Sequence, residues 1–369
     1  MSPIPAAFVL ANGSTTMAYG GMPPVKMGAL SYVPHPQVMQ ANGSGITACR
    51  EDSLAAYTHA LLYFIKQDPR HAEKAIEIMD AWTAVDQPPI ALVNGLQVAW
   101  GAAVWPRAAE IIRHTYTAKP WAGAAAWGEW MMRVFVPVVD EGASTNGNIG
   151  LVMTEAAAAI AVYTDNETLW NQSITMWRAQ APAYVYITSD GPSPARPPQE
   201  RYLQNTGPIC EPNCNDKQMV NYWHGQKDFG TGVADGICQE SCRDAAHVTL
   251  GYATLVNTAE TAFHQGIDIY AEEERRLIAG AELHASLLLD EPAPHRQPVP
   301  QWLCGGFIKG VNTDLNGWGH KGGTLSPVNA TTWSMVHHHY VTRMGALMPN
   351  VSAILPCVYI YNDDSSMEK

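Results

Sequence analysis

A mainly α fold is predicted, with (α/α) helical hairpins forming an incomplete toroid that carries long irregular loops. Apolar residues recur at helical spacing through most of residues 49–181. Tight turns such as Gln67-Asp68-Pro69-Arg70 join these segments into successive hairpins. No stretch shows the convincing alternation of a half-buried strand. Hydrophobic residues make up 47% of the 369-residue chain and charged residues 15%, ample for a core and against global disorder. No linker divides the chain, so one domain is expected over 1–369: an arm at 1–47, the helical body at 48–355 and a tail at 356–369.

Residues 12–47 are rich in Gly, Pro, Ser and Asn and read as an arm ordered by packing. From Cys49, residues Leu54, Tyr57, Leu61 and Ile65 make one stripe, which Asp68-Pro69 breaks. A second helix begins near His71, with Ala75, Ile76, Ile78, Met79 and Trp82 as its apolar face. Further helices are expected at 90–104, 106–116, 122–136, 149–163 and 167–180. Residues 184–235 interrupt the rhythm with Ser189-Asp190-Gly191-Pro192-Ser193-Pro194 and Arg196-Pro197-Pro198, turn material in a long segment of the kind that forms lids and binding loops. Within it, Tyr222-Trp223-His224-Gly225-Gln226 either lines a cleft by stacking on sugar or anchors the loop to the core. Helix resumes at 237–264 and about 271–288. Breakers such as Cys304-Gly305-Gly306 punctuate 291–330, and a last helix covers about 332–347. A small β segment near Ala353 to Tyr361 is the alternative to a plain tail.

The net charge of −12 excludes a generally basic nucleic-acid binder, and no apolar run reaches the length of a membrane span. Twelve tryptophans and fifteen tyrosines lean toward carbohydrate, whose ring faces stack on aromatics. An acidic substrate then requires local positive groups against the overall field. Seven cysteines leave at least one unpaired in a monomer. Cys210 with Cys214, and Cys238 with Cys242, lack the usual two-residue zinc spacing. Disulfides tying the 200s loop to the helix after Cys242 are expected instead, with the pairing open. Asn12, Asn42, Asn166, Asn171, Asn329 and Asn350 fit the glycosylation pattern, so secretion with N-glycosylation is expected. Residues Met1 to Ala11 lack the basic start of a signal peptide.

The chemistry concentrates in Gly236-Ile237-Cys238-Gln239-Glu240-Ser241-Cys242-Arg243-Asp244-Ala245-Ala246-His247 and the helix that follows. No proline falls between Asp244 and Phe263, and Val248, Leu255, Ala259 and Ala262 form one buried stripe. Arg243 and His247, four apart, stand on a different face, and Gly251 leaves room for a group to approach the backbone. A cation beside a titratable imidazole suits an acidic substrate; Glu240 and Asp244 offer the same two groups structural partners.

Gln239-Glu240-Ser241-Cys242-Arg243-Asp244-x-x-His247, then Ala259-Glu260-Thr261-Ala262 and Gln265-Gly266-Ile267-Asp268-Ile269-Tyr270, resembles the central signature of the alginate lyase superfamily, secreted polysaccharide lyases built as toroids of paired helices. Two further blocks match in order: Asn146-Gly147-Asn148 opening a helix that ends Ile160-Ala161-Val162-Tyr163-Thr164-Asp165, and Trp333-Ser334-Met335-Val336-His337-His338-His339-Tyr340. The resemblance covers most of 48–355 and implies β-elimination on a 1,4-linked polyuronate, alginate or glucuronan. That reaction needs a neutralised substrate carboxylate, a base for the C5 proton and an acid for the departing O4.

The resemblance implies that Asn148, otherwise a helix cap, neutralises the carboxylate together with Arg243, whose guanidinium pairs naturally with it. It makes His247 a neutraliser or base. In some relatives a Tyr stands seven residues after the motif arginine; this chain has Leu250 there, so Tyr340 is assigned as the phenol, ahead of Tyr252 and Tyr222. Substrate contacts are expected from Asn146, Tyr222, Trp223, His224, Gln239, Tyr252, His339 and Arg343. Consecutive helical histidines point about 100° apart, so His337-His338-His339 cannot share one ion, and no metal or cofactor is expected. The expected partner of the monomer is an acidic polysaccharide. A glycoside hydrolase using two of Glu240, Asp244 and Glu155, or a non-catalytic carbohydrate binder, is the rival reading.

Overall fold

The computed structural model describes residues 27–40, 43–85, 95–143, 147–196, 216–230, 232–289, 299–309, 311 and 333–359. Helices dominate these residues, as expected, and the chain divides into two compact units.

The first unit holds 16–145 and 149–177. It contains α1 (Ile46–Lys66), α2 (Pro69–Thr83), α3 (Gly95–Thr115), α4 (Ala124–Val134), α5 (Val136–Ala143), most of α6 (Gly147–Tyr163) and the start of α7 (Glu167–Tyr184). The first predicted hairpin is present. Asp68 caps α2 by accepting the Arg70 N–H at 3.0 Å, and Pro69 occupies the opening position, where its missing N–H costs nothing. Helix α3 corrects an expectation. It runs unbroken through Pro106 where two helices were expected at 90–104 and 106–116. An interior proline costs about 3 kcal/mol; the buried face formed by Ala99, Ala102, Ala103, Ala108 and Ala109 outweighs it, α3 packing chiefly on α1.

Most tryptophans of this unit (Trp82, Trp100, Trp105, Trp121, Trp127, Trp130 and Trp177) are core, which removes much of the aromatic argument for carbohydrate. Trp127 stacks on Trp130 with centroids 4.9 Å apart and meets the edge of Trp105 at 5.1 Å, while Trp82 lies 6.1 Å from Trp105. Beside them buried Asp52 accepts hydrogen bonds from Tyr32 Oη (2.6 Å), Trp82 Nε1 (2.7 Å) and the His35 N–H (2.7 Å). The described part of the arm is thus pinned by packing, as its composition suggested.

The second unit comprises 1–15, 146–148 and 178–369. A two-residue antiparallel ladder joins β1 (Val185–Tyr186) to β2 (Ile237–Cys238), with Val185 opposite Cys238. Around it lie α8 (Asp216–Tyr222), α9 (Ala245–His264), α10 (Ile269–Glu272), α11 (Glu274–Leu288), α12 (333–337) running into a π turn at His338–Arg343, and α13 (Pro349–Tyr359). Two boundaries differ from the expectation. The helix expected from 237 starts at Ala245, because 237–238 pair with β1 and the Asp244 carboxylate accepts the His247 N–H, fixing the N-cap. Residues 349–359 form helix α13 where a small β segment was the alternative, and the rest of the expected tail lies outside the described residues. Glu282 accepts the N–H groups of Asn350 and Val351 at its start, and Val351, Ile354 and Leu355 are buried at helical spacing. Among the described residues no helix is long and apolar enough to cross a membrane.

Candidate active site

The loop 239–244 and the first turn of α9 build the site, all within the second unit. Glu240 is its hub. Its carboxylate, 2% exposed, accepts the Asn148 N–H (2.8 Å) and Asn148 Nδ2 (2.7 Å) at the start of α6. It also accepts Arg243 Nη1 at 2.9 Å and Tyr184 Oη at 3.3 Å. Burial raises the Glu240 pKa, opposed by Arg243, His247 and the Asn148 N–H. Gly147, at φ +58, allows this approach; a Cβ there would meet Gln239 Oε1 and the Glu240 carboxyl at 2.9 Å.

One turn on, Asp244 both caps α9 and holds His247 Nδ1 at 2.8 Å. Its pKa is lowered, His247 offsetting the cost of burial. With Nδ1 so occupied, the neutral tautomer of His247 carries its lone pair on Nε2. The side chains of Arg243 and His247 are 32% and 28% exposed, while Glu240 beneath them is buried. His224 completes the group in a left-handed backbone conformation (φ 52). Burial lowers its pKa to about 4, and the Arg243 and His247 charges push the same way. Arg243 and His247, each backed by a carboxylate, thus present a guanidinium and an imidazole to solvent.

The structure brings together Asn148, Arg243, His247, His224 and Gln239, but corrects the picture for others. Asn148 spends its donors on Glu240, which can only accept when ionised, and leaves Oδ1 buried without a partner. Gln239 is buried and donates to the Tyr222 carbonyl. Tyr222, Trp223 and Tyr252 are 3%, 0% and 1% exposed and cannot stack on sugar. Trp223 packs edge-on to Phe229 at 5.2 Å, and Tyr252 Oη donates to the Leu277 carbonyl. Tyr340 is the principal correction: it is buried, its hydroxyl donates to the Tyr270 carbonyl at 2.9 Å, and burial raises its pKa. His339 stacks on Tyr270 at 3.8 Å, and Arg343 forms two bonds to Glu260, at 2.6 and 2.9 Å. These three form a structural knot between α9, α10 and the π turn. Arg243, expected one helical turn from His247, precedes the N-cap and reaches the site from the loop.

Sequence reasoning missed Tyr184, whose signal was Gly251. A Cβ on Gly251 would lie 2.0 Å from Tyr184 Oη, so the group that approaches this bare helix is a phenol of the protein itself. Among the described residues Cys242 is bonded to Cys304 and Cys238 is a free buried thiol, so neither ties the helix to the 200s loop as expected. Asn146, Cys210, Cys214, Asn12, Asn42 and Asn329 lie outside the described residues. Of the hydrolase carboxylates, Glu155 belongs to the first unit and pairs with Arg107 at 2.8 Å, and Glu240 is enclosed by donors. Among the described residues no group of three or more His, Cys, Asp or Glu side chains is placed to hold a metal ion.

Residues 29–194 match the family model for alginate lyase. Alginate lyase A1-III from Sphingomonas species A1 superposes with a TM-score of 0.56 at 15% identity, over 92% of this chain and 88% of its own. A histidine-to-alanine variant of alginate lyase A1-III complexed with a tetrasaccharide gives 0.49 at 16% identity, over 79% and 83%. No curated protein matches. The first superposition shows that the two chains share a fold.

Proposed function

We propose that this chain is a polysaccharide lyase of the alginate lyase superfamily, a reading supported by the family-model match over residues 29–194 and the shared fold, and that it cleaves a 1,4-linked polyuronate, alginate or glucuronan, by β-elimination with His247 as proton carrier. The observation that carries this reading is the half-exposed Arg243–His247 pair, with Nδ1 of His247 fixed by Asp244. Nε2 takes the C5 proton. The imidazolium that forms is stabilised by the Asp244 carboxylate, the arrangement by which a buried acid orients a catalytic histidine. As the C4–O4 bond breaks and the C4–C5 double bond forms, the same imidazolium returns the proton to O4, so one residue serves as base and acid.

Negative charge develops on the substrate carboxylate during C5 deprotonation. Arg243, with donors beyond the one given to Glu240, neutralises it, and the α9 N-terminus adds to the positive potential. Asn148 supports this indirectly, since its donors hold Glu240, which in turn holds Arg243. The assignment of Asn148 as direct neutraliser is thereby replaced.

The test is incubation of purified protein with mannuronate, guluronate and glucuronate polymers, followed by ultraviolet absorbance of the unsaturated product. A lyase makes the chromophore, a hydrolase makes only reducing ends and a binder makes neither. His247→Ala is expected to lower turnover by about 10² to 10⁴. Chromophore formation at the parent rate by His247→Ala would overturn the assignment.

A further inference from the structure

Of the large hydrophobic residues exposed among the described ones, Phe307 is the one aromatic, 52% exposed in a chain that buries its other rings widely. Its position is fixed on both sides. Three residues before it, Cys304 is bonded to Cys242, the neighbour of Arg243. Two residues after it, the Lys309 carbonyl accepts the Ala245 N–H at 3.0 Å, at the first residue of α9. The strap 304–309 therefore runs alongside 242–245, the segment that carries Arg243 and the cap of His247.

The strap is built, not incidental. Gln226 Nε2 donates to the Trp302 carbonyl at 2.9 Å, and its Oε1 accepts the Cys304 N–H at 2.9 Å. Leu303 and Ile308 are buried and anchor the backbone. Cys304, Gly305 and Gly306 all have positive φ, at 55, 66 and 86. A non-glycine residue in that region is strained, and such strain persists where surrounding structure enforces it. This turn leaves Phe307 outside while Leu303 and Ile308 are buried. Lys309, also exposed, adds a positive charge to the same strap.

We propose that Phe307 is a stacking platform for a sugar ring at a subsite beside the Arg243–His247 pair, with Lys309 favouring an anionic sugar there. An exposed aromatic face attached covalently to the loop of the carboxylate-binding arginine is placed to hold the next residue of a chain whose scissile unit lies over His247. The anionic preference rests on the polyuronate reading; the platform rests on the strap.

The test uses affinity electrophoresis of the full chain in gels containing alginate, glucuronan or a neutral β-1,4-glucan, together with lyase kinetics. The variants are Phe307→Ala, Phe307→Trp and Lys309→Gln. Phe307→Ala is expected to lose most of the retardation and raise KM about tenfold, the scale of one stacking contact worth about 1.4 kcal/mol. It should leave kcat and melting temperature near parent values, and Phe307→Trp should restore binding. Lys309→Gln should weaken retardation by the acidic polymers alone. Parent-like retardation and KM in Phe307→Ala would overturn the platform, as would a parent protein retarded in none of the gels. Retardation without unsaturated product overturns the lyase reading but still judges the platform through Phe307→Ala.

Discussion

Glu240 shows how a residue remote from substrate can control the site. Its carboxylate receives two donors from Asn148 and one from Arg243, so exchanging one oxygen for an NH2 group sets donor against donor. Glu240→Gln is expected to cost about 3 kcal/mol of stability, measured by denaturant unfolding, and to lower turnover by misplacing Arg243. Tyr340→Phe should behave oppositely. Among the described residues its hydroxyl donates to the buried Tyr270 carbonyl, so stability falls by about 1 kcal/mol while kcat stays near the parent value. A loss of turnover without loss of stability would restore the phenol to catalysis. That Arg243 and His247 stand close together, with Asp244 as a structural partner, was legible in the sequence because they sit within five positions on one loop and helix start. Tyr340 was not, because whether a phenol faces a cleft or a carbonyl depends on contacts 70 positions away. Helical spacing records which face is buried, not what a buried hydroxyl meets.

At the scale of elements, α9 was read correctly as a stripe but eight residues too long at its start, since a two-residue strand has no periodicity of its own to betray it. Gly251 was the legible clue to a close approach on this helix. Gly251→Ala should be destabilising by about 1 to 3 kcal/mol, because the new Cβ would overlap the Tyr184 hydroxyl and ring. A melting temperature equal to the parent's would show that α9 and α7 can separate there at no cost. The Cys242–Cys304 bond spans 62 positions. Cys304→Ser is expected to lower stability by about 2 to 4 kcal/mol and to weaken substrate binding, because it frees the strap next to Arg243. Its pairing was not legible, since several cysteines offered comparable partners and only the fold decides among them.

At the scale of the whole molecule, buried imidazoles set the acid limit. His59 lies in the first unit, its Nδ1 2.8 Å from that of His71, and His284 in the second, hydrogen-bonded to Ser241 Oγ and the Gly280 carbonyl at 2.8 Å each. Burial lowers both pKa values to about 4, with the like charge of His71 adding to the effect at His59. The same holds for His224 at the site. In the unfolded chain these groups titrate near 6.5. The folded state therefore binds fewer protons than the unfolded state between about pH 6.5 and 4. Stability is fully present above 6.5 and falls as pH drops through that window, by up to about 1.4 kcal/mol per imidazole per pH unit. Glu260 extends the trend. Arg343 and His264 hold its pKa down at about 2, so its contribution is lost only as pH falls below the ordinary carboxylate range. Denaturant midpoints measured from pH 8 to 4 should be flat above about 6.5 and then decline, the slope easing when His284 is replaced by Gln. A midpoint that rises on acidification from 6.5 to 5 would mean that these imidazoles are charged in the folded protein. His59 and His71 would then share a proton across 2.8 Å as a cationic pair, and the neutral packing assigned to His284 would fail with them.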